Sequence, residues 1–90
     1  MQIIQNVFPT GTVLKLVGVI NETFDKAAFV RLAGSGHLVV DFDGVTRVTS
    51  FGVREWMSAL SAIGKRYIGY INTRPSVMAQ FNSVAQFGAP

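Results

Sequence analysis

Residues 38–56 read LVVDFDGVTRVTSFGVREW, and this stretch carries most of the information about the fold. It begins with an apolar run that is typical of a buried strand, predicted over residues 37–42. The Asp-Gly pair at residues 43–44 has a strong turn preference and is expected to end that strand. A short extended piece over residues 45–48 then leads into a helix.

The helix is recognised by apolar residues that recur at spacings of three and four. Its predicted core stripe consists of Val53, Trp56, Met57, Leu60 and Ile63. Gly64 is expected to end the helix. Either Thr49 or Ser50 can cap its first turn, because a hydroxyl oxygen accepts hydrogen bonds from free backbone N–H groups. From the residues alone, a plain N-cap is the simplest role for Ser50.

The flanking segments supply further strands and helices. The remaining strands are predicted over residues 2–8, 13–20 and 67–71, and the last two of these are expected to be buried. The remaining helices are predicted over residues 24–33 and from Pro75 onward. The last helix places Val77, Met78, Phe81, Val84 and Ala85 on its apolar face. The first two strands are expected to form a hairpin. The order β-β-α-β-α-β-α predicts a single α/β domain over residues 1–90, with a small, mixed, mostly parallel sheet and helices mainly on one face.

Composition excludes several classes of protein. The chain has 90 residues, 14% of them charged, and a formal net charge of +3. With no cysteine and one histidine, it cannot form a disulfide, a Cys-ligated zinc site or a His-rich metal site. We expect no cofactor and no metal. The eight basic residues are scattered, which argues against a nucleic-acid partner. No apolar run is long enough to span a bilayer and no signal-peptide pattern is present, so a cytoplasmic location is expected.

Two short motifs are similar to the signature of STAS domains, the family of bacterial anti-sigma factor antagonists. Residues 41–45 (DFDGV) resemble the family's Asp-Leu-Ser-Gly-Val motif, which follows a strand. Residues 49–53 (TSFGV) resemble its Asp-Ser-Ser-Gly-Leu motif, which opens a helix. Residues 13–21 and 74–88 resemble another strand and another helix of the family. The resemblance covers nearly the whole chain and implies a non-catalytic signalling module of bacterial transcription regulation.

The resemblance also implies a switch at the start of the helix. In STAS domains a serine or threonine at this position is phosphorylated by a partner kinase, itself the anti-sigma factor, and the phosphorylated form releases that partner. The matching residue here is Ser50, with Thr49 as the alternative acceptor. The expected partner is an anti-sigma factor or a related serine kinase, and a homodimer is compatible with the sequence. The expected partner-binding surface consists of Asn21, Asp41, Asp43, Thr49, Ser50, Phe51, Gly52 and Arg54.

Three residues depart from the family pattern. Asn21 and Thr49 stand where the family usually has acidic residues, and Phe51 stands where it has a second hydroxyl residue. The expected docking face is therefore less anionic and more apolar than is usual for the family. Phe51 has two interpretations: if it is exposed it is an anchor for a partner, and if it is buried it staples the start of the helix.

Other residues and function classes leave alternatives open. Asp41 and Asp43 can form a carboxylate pair for a metal or for acid–base chemistry, although a turn in which Asp41 accepts backbone N–H bonds is the simpler interpretation. His37 is interpreted as a solvated or capping residue. STAS-like domains also serve as regulatory or structural parts of membrane transporters, such as sulfate permeases and lipid-transport ATPases, without phosphorylation. An enzyme is not expected, because no nucleophile, base and oxyanion site converge.

Overall fold

The computed structural model describes residues 1–64 and 66–88. The elements follow one another as β1 (Gln2–Phe8), β2 (Gly11–Ile20), α1 (Lys26–Ala33), β3 (His37–Val48), α2 (Ser50–Ile63), β4 (Ile68–Ile71) and α3 (Pro75–Gly88). The prediction of a small α/β domain with a mixed sheet is therefore confirmed. The predicted apolar positions Val84 and Ala85 of the last helix lie outside the residues whose side chains the structure describes.

The four strands form one mixed sheet in the order β1-β2-β3-β4. β1 and β2 form the predicted antiparallel hairpin, in which Phe8 pairs with Gly11. β2, β3 and β4 run parallel to one another. At Gly11 a Cβ atom would lie 2.1 Å from the carbonyl oxygen of His37. Glycine at this position therefore lets the parallel strands β2 and β3 begin side by side.

β3 is longer than the sequence predicts. The predicted turn at Asp43 and Gly44 is wrong, since β3 continues through these residues to Val48. The register with β2 shifts here, so that the three-residue step from Asp41 to Gly44 faces a step of only two residues in β2. A β-bulge of this kind lets a strand absorb an extra residue and bend without ending.

A second register shift follows, opposite Gly18 and Val19 of β2. Together the two bulges place Phe42, Val45 and Val48 on the same side of the sheet, and all three are buried. In a regular strand, residues three apart point to opposite faces. The bulges therefore keep these side chains in the core although they are three residues apart.

The helices pack on one face of the sheet, where the apolar core forms. The centre of the core is aromatic: the ring centre of Trp56 in α2 lies 5.0 Å from that of Phe29 in α1 and 5.6 Å from that of Phe42 in β3. Trp56 is only 4% exposed. Burial of a large apolar side chain stabilises a fold by about 1.5–3 kcal/mol. Trp56 thus joins α2 both to α1 and to the sheet.

The opposite face of the sheet is not covered by any helix of the described residues. Strand register places Ile4, Val13, Val39 and Ile71 on this face, where they are half-buried or exposed. His37 is exposed at its margin, as predicted. The same register places Lys15 and Asp41 on this face as well. This side of the domain is therefore an open sheet surface of mixed apolar and polar side chains, which we call the open sheet face.

β4 is an exposed edge strand. The prediction of a buried strand over residues 67–71 is wrong, because Tyr67, Tyr70 and Ile71 are all exposed. Its four residues pair only with β3, so the outer edge of β4 has no neighbouring strand in the described part of the sheet. An edge strand buries less of each side chain than a central one does, and its residues are correspondingly open to solvent.

Capping and packing change two details of the predicted helices. α1 begins at Lys26, two residues later than predicted, because the carboxylate of Asp25 accepts a hydrogen bond from the N–H of Ala28 at 3.0 Å and so caps the helix. The predicted core stripe of α2 is wrong at Met57, which is 56% exposed. Ala59 is buried instead, since α2 packs closely against α1 on that side and Met57 is turned outward.

Candidate functional site

The start of α2 is held against the end of β2 by backbone contacts. The N–H of Thr49 donates to the carbonyl oxygen of Ile20 at 2.9 Å. Gly52, in the first turn, lies so close that a Cβ atom there would be 2.0 Å from the same oxygen. Since non-bonded atoms do not approach so closely, only glycine permits this packing. The sheet therefore fixes where the helix begins.

Thr49 is the N-cap of α2. Its hydroxyl oxygen accepts a hydrogen bond from the N–H of Gly52 at 3.1 Å, and its carbonyl oxygen accepts one from the N–H of Val53 at 2.9 Å. The interpretation of Ser50 as a plain N-cap is therefore wrong. Ser50 is the first residue of the helix and is exposed, whereas Thr49 is half-buried and engaged in capping.

Phe51 is exposed beside Ser50. Its exposed fraction is 59%, so it does not staple the start of the helix. Arg54 is also exposed. It follows Ser50 by four residues and Phe51 by three, and residues at these spacings are neighbours on a helix surface. A hydroxyl, an aromatic ring and a guanidinium group therefore lie together at the start of α2.

Asn21 adjoins these residues, directly after β2. Its side-chain oxygen accepts a hydrogen bond from the N–H of Thr23 at 2.9 Å, an Asx turn that redirects the chain. The backbone nitrogen of Asn21 is 2.8 Å from the position that a Cβ atom of Gly52 would occupy. The structure therefore brings together Asn21, Thr49, Ser50, Phe51 and Arg54, which we call the helix-start surface. Gly52 also lies here, but it is buried beneath them against β2.

Asp41 and Asp43 lie elsewhere. They belong to the middle of β3, and the strand from Asp43 to Val48 spans up to about 17 Å. The carboxylate of Asp41 accepts hydrogen bonds from the N–H of Asp43 and from the side-chain amide of Asn72, both at 2.9 Å. The structure thus does not bring these two residues to the helix-start surface, although the predicted backbone bond to Asp41 is present.

Asp43 takes part in a separate polar cluster. Its carboxylate lies 3.8 Å from the charged nitrogen of Lys15 and 3.8 Å from that of Arg74. Arg74 also donates to the carbonyl oxygen of Asp43 at 2.6 Å. Among the described residues, no group of three His, Asp or Glu side chains converges as metal ligands do. The contacts of Asp43 tie β3 to the segment between β4 and α3.

Charges near the start of α2 favour an anionic group. The first turn of the helix contains no acidic residue. Glu55 is paired with Lys26 across a 3.1 Å salt bridge. Arg54 lies one turn from Ser50, and the helix dipole places partial positive charge at this same end. A phosphate on Ser50 would therefore meet a favourable local field and a guanidinium group within reach.

Met57 extends the helix-start surface in a way that the sequence pattern missed. Ser50, Arg54, Met57 and Ser61 are all exposed, at spacings of three and four residues, and form a continuous stripe along α2. The spacing of Met57 and Ala59 could have revealed that Met57 is exposed. Each residue fits an apolar stripe, but the two lie on opposite sides of the helix and cannot both be buried.

No protein-family model and no curated protein matches the chain. The likeness to STAS domains therefore rests on the motifs at residues 41–45 and 49–53 and on the short segments around them, and the case for function rests on the geometry of the helix-start surface. In the part of the chain that the structure describes, no helix is long and apolar enough to cross a membrane.

Proposed function

We propose that this chain is a non-catalytic interaction module of the STAS type, which docks an anti-sigma factor or a related serine kinase through the helix-start surface. Phosphorylation of Ser50 weakens that docking. One observation carries the proposal: Thr49 caps α2 and leaves Ser50 exposed beside the exposed ring of Phe51. The acceptor is then accessible to a kinase, and its modification acts on a neighbouring apolar anchor.

Phe51 supplies the binding energy in this proposal. It is a large aromatic side chain that projects from a helix whose backbone is fixed against β2. Burial of such a side chain in a partner's pocket contributes about 1.5–3 kcal/mol. Aromatic anchors of this kind dominate the energetics of many protein interfaces. A rigid helix start also lowers the entropy that is lost on docking.

Phosphorylation acts on the interface rather than on the fold. A phosphoserine carries about −1.5 to −2 charges at pH 7. At Ser50 this charge is compatible with the folded domain, because the helix dipole and Arg54 both favour it. In the complex, the same charge would have to be desolvated next to Phe51, which is unfavourable. The free domain therefore tolerates the modification and the complex does not.

Co-purification with native partners tests the proposal. The compared proteins are wild type, Ser50→Ala, Ser50→Asp and Phe51→Ala. The matched control is Phe8→Ala, since Phe8 is also an exposed phenylalanine and lies at the other end of β2. We expect wild type, Ser50→Ala and Phe8→Ala to retain the same partner and the other two variants to lose it. Retention of that partner by both Ser50→Asp and Phe51→Ala would contradict the proposal.

The open sheet face favours a second candidate function, a regulatory or structural subunit of a membrane transporter. Exposed apolar residues on a sheet are typical of a surface that a permanent partner covers. In this alternative Phe51 belongs to a constant contact and Ser50 is not phosphorylated. Intact-mass measurement of protein isolated from the cells that naturally make it separates the two candidates, because an added phosphate is expected only for the switch. Neighbouring reading frames also separate the two candidates, because a kinase gene favours the switch and a permease gene favours the transporter subunit.

A further inference from the structure

A groove of about 480 Å³ lies between α2, α3 and β4, on the helical side of the sheet, and Met57 forms its boundary with the helix-start surface. Phe42 and Trp56 form its floor, and Tyr70 and Phe81 form its sides. Met57 and Met78 complete the apolar part of its lining. Because Met57 and Tyr70 are exposed, the groove opens to solvent on one side.

The aromatic walls are held in place by the core. Phe42 and Trp56 are almost completely buried, and their ring centres are 5.6 Å apart. The ring centre of Tyr70 lies 5.9 Å from that of Phe42, and the ring centre of Phe81 lies 6.1 Å from that of Trp56. These separations are in the range of favourable aromatic contacts, so the rings support one another. The floor is therefore preformed.

The lining has a definite chemical character. Among the described residues that line the groove, none carries a charge, and Tyr70 and Thr73 are the ones with a hydroxyl. Burial raises the pKa of the Tyr70 hydroxyl above its ordinary value. Like any tyrosine hydroxyl, it is protonated at neutral pH and can donate a hydrogen bond. A charged ligand would lose its hydration in the groove without gaining a counter-charge.

We propose that this groove binds an uncharged, planar aromatic molecule of two or three rings that carries one hydrogen-bond acceptor. The size follows from the volume, since an apolar cavity of about 150 Å³ holds one benzene. Aromatic and methionine walls favour stacked or edge-on rings over a flexible chain. Tyr70 recognises the acceptor. This proposal does not rest on docking at the helix-start surface, although the two sites share Met57.

A neutral fluorescent ketone, 6-propionyl-2-(dimethylamino)naphthalene, is a suitable probe for this site. Trp56 is the one tryptophan of the chain and forms part of the floor, so its fluorescence reports directly on occupancy. We expect saturable binding of one probe per chain, with a blue shift of probe emission and quenching of Trp56. A ligand of this size is expected to have a Kd of about 10–200 μM.

Three variants locate the probe. Leu60→Phe adds volume inside the lining and is expected to weaken binding at least tenfold. Met57→Glu places a charge at the exposed rim, where folding is not at risk, and is expected to weaken binding at least fivefold. Phe8→Ala alters an exposed aromatic residue on the far edge of the sheet and is expected to leave binding unchanged. Far-UV circular dichroism verifies that each variant is folded.

Tyr70→Phe tests the hydrogen bond. It should weaken binding of the ketone about three- to tenfold, as for the loss of one neutral hydrogen bond. Binding of 2-(dimethylamino)naphthalene, which lacks the carbonyl acceptor, should not change. Three results would overturn the proposal: no saturable binding to the folded wild type, equal binding by wild type and Met57→Glu, or loss of binding in Phe8→Ala. The first is expected if the groove instead receives an apolar side chain of a protein partner.

Discussion

Gly52 stands against the carbonyl oxygen of Ile20 so closely that a Cβ atom on it would lie only 2.0 Å from that oxygen. The contact joins the first turn of α2 to the last residue of β2. It also sets the position of Ser50 and Phe51, which belong to the same turn. The placement of the helix-start surface therefore depends on residue 52 being a glycine, which has no side chain.

Gly52→Ala is expected to destabilise the fold strongly. Alanine favours a helix by about 1 kcal/mol over glycine. The added methyl group, however, meets backbone on β2 that cannot move without disturbing the sheet, and such overpacking costs about 1–3 kcal/mol or more. The steric cost of the methyl group should exceed the gain in helix propensity. Urea denaturation should therefore show a free energy of unfolding that is lower by about 1–2 kcal/mol, or the variant should fail to fold.

Gly69→Ala is the matched control for this substitution. A Cβ atom at Gly69 would meet its nearest neighbour, the side chain of Val39, at an ordinary 3.7 Å. We expect the stability of this variant to remain within about 0.5 kcal/mol of wild type or to increase. Equal stability of the two alanine variants would show that the close approach of Gly52 to Ile20 does not hold in solution.

Thr49→Ala should destabilise the domain, and Ser50→Ala should not. Thr49 accepts the capping hydrogen bond from Gly52, and loss of an N-cap costs about 0.5–2 kcal/mol. Ser50 is exposed at the first helical position, where truncation is expected to change the free energy of unfolding by less than about 0.5 kcal/mol. Chemical denaturation measures both. If Ser50→Ala were instead the more destabilising variant, Ser50 would be the N-cap, and its hydroxyl would be engaged in the capping hydrogen bond.

Ser50→Asp should stabilise the free domain slightly. A carboxylate at the first position of α2 interacts favourably with the helix dipole, by about 0.3–1 kcal/mol at low salt. Arg54, four residues later, adds a charge pair. The gain should shrink in 1 M salt, because exposed charges are screened. Thermal unfolding at low and high salt measures the effect.

Ser61→Asp provides the control for this charge effect. Ser61 is exposed in the last turn of the same helix, so a carboxylate there faces the negative end of the dipole. We expect a small loss of stability of similar size. Destabilisation by both substitutions would mean that the start of α2 does not tolerate an anionic group, and the proposed phosphorylation of Ser50 would then disturb the fold itself.

The sequence predicted the elements well but not the detailed shape of β3. An Asp-Gly pair after an apolar run satisfies the requirements of a turn, and the same pair also fits a bulge. The difference is set by β2, which continues to pair with β3 up to Val48. Such pairing involves residues about thirty positions away, and local preference carries no information about it.

The candidate site was also predictable only in part. The motif at residues 49–53 identified the start of the helix, because a hydroxyl cap followed by glycine has a local physical meaning. The choice between Thr49 and Ser50 as the cap was not predictable, since the backbone bond from Thr49 to Ile20 fixes it. Asp41 was predicted to lie on the helix-start surface, but its carboxylate instead accepts a hydrogen bond from the side chain of Asn72, which is far along the chain.

Tyr70 is expected to ionise at higher pH than an ordinary tyrosine. Tyr70 is partly exposed, and burial of the rest of its side chain raises the pKa of its hydroxyl above the usual value of about 10. Tyr67 is the other tyrosine of the chain, so the variant Tyr67→Phe leaves Tyr70 alone to be titrated by its absorbance near 295 nm. A midpoint at or below 10 in the folded variant would contradict this expectation.

The same shift predicts how stability depends on pH. The pKa of Tyr70 is higher in the folded state, so above pH 10 the folded chain binds more protons than the unfolded chain. The contribution of Tyr70 to stability is therefore complete below pH 10 and is lost as the pH rises through the folded pKa. Tyr70→Phe has no such loss, so denaturation at pH 9, 10 and 11 should show its stability improving relative to wild type as the pH increases. If Tyr67→Phe improves equally, the effect does not come from the burial of Tyr70.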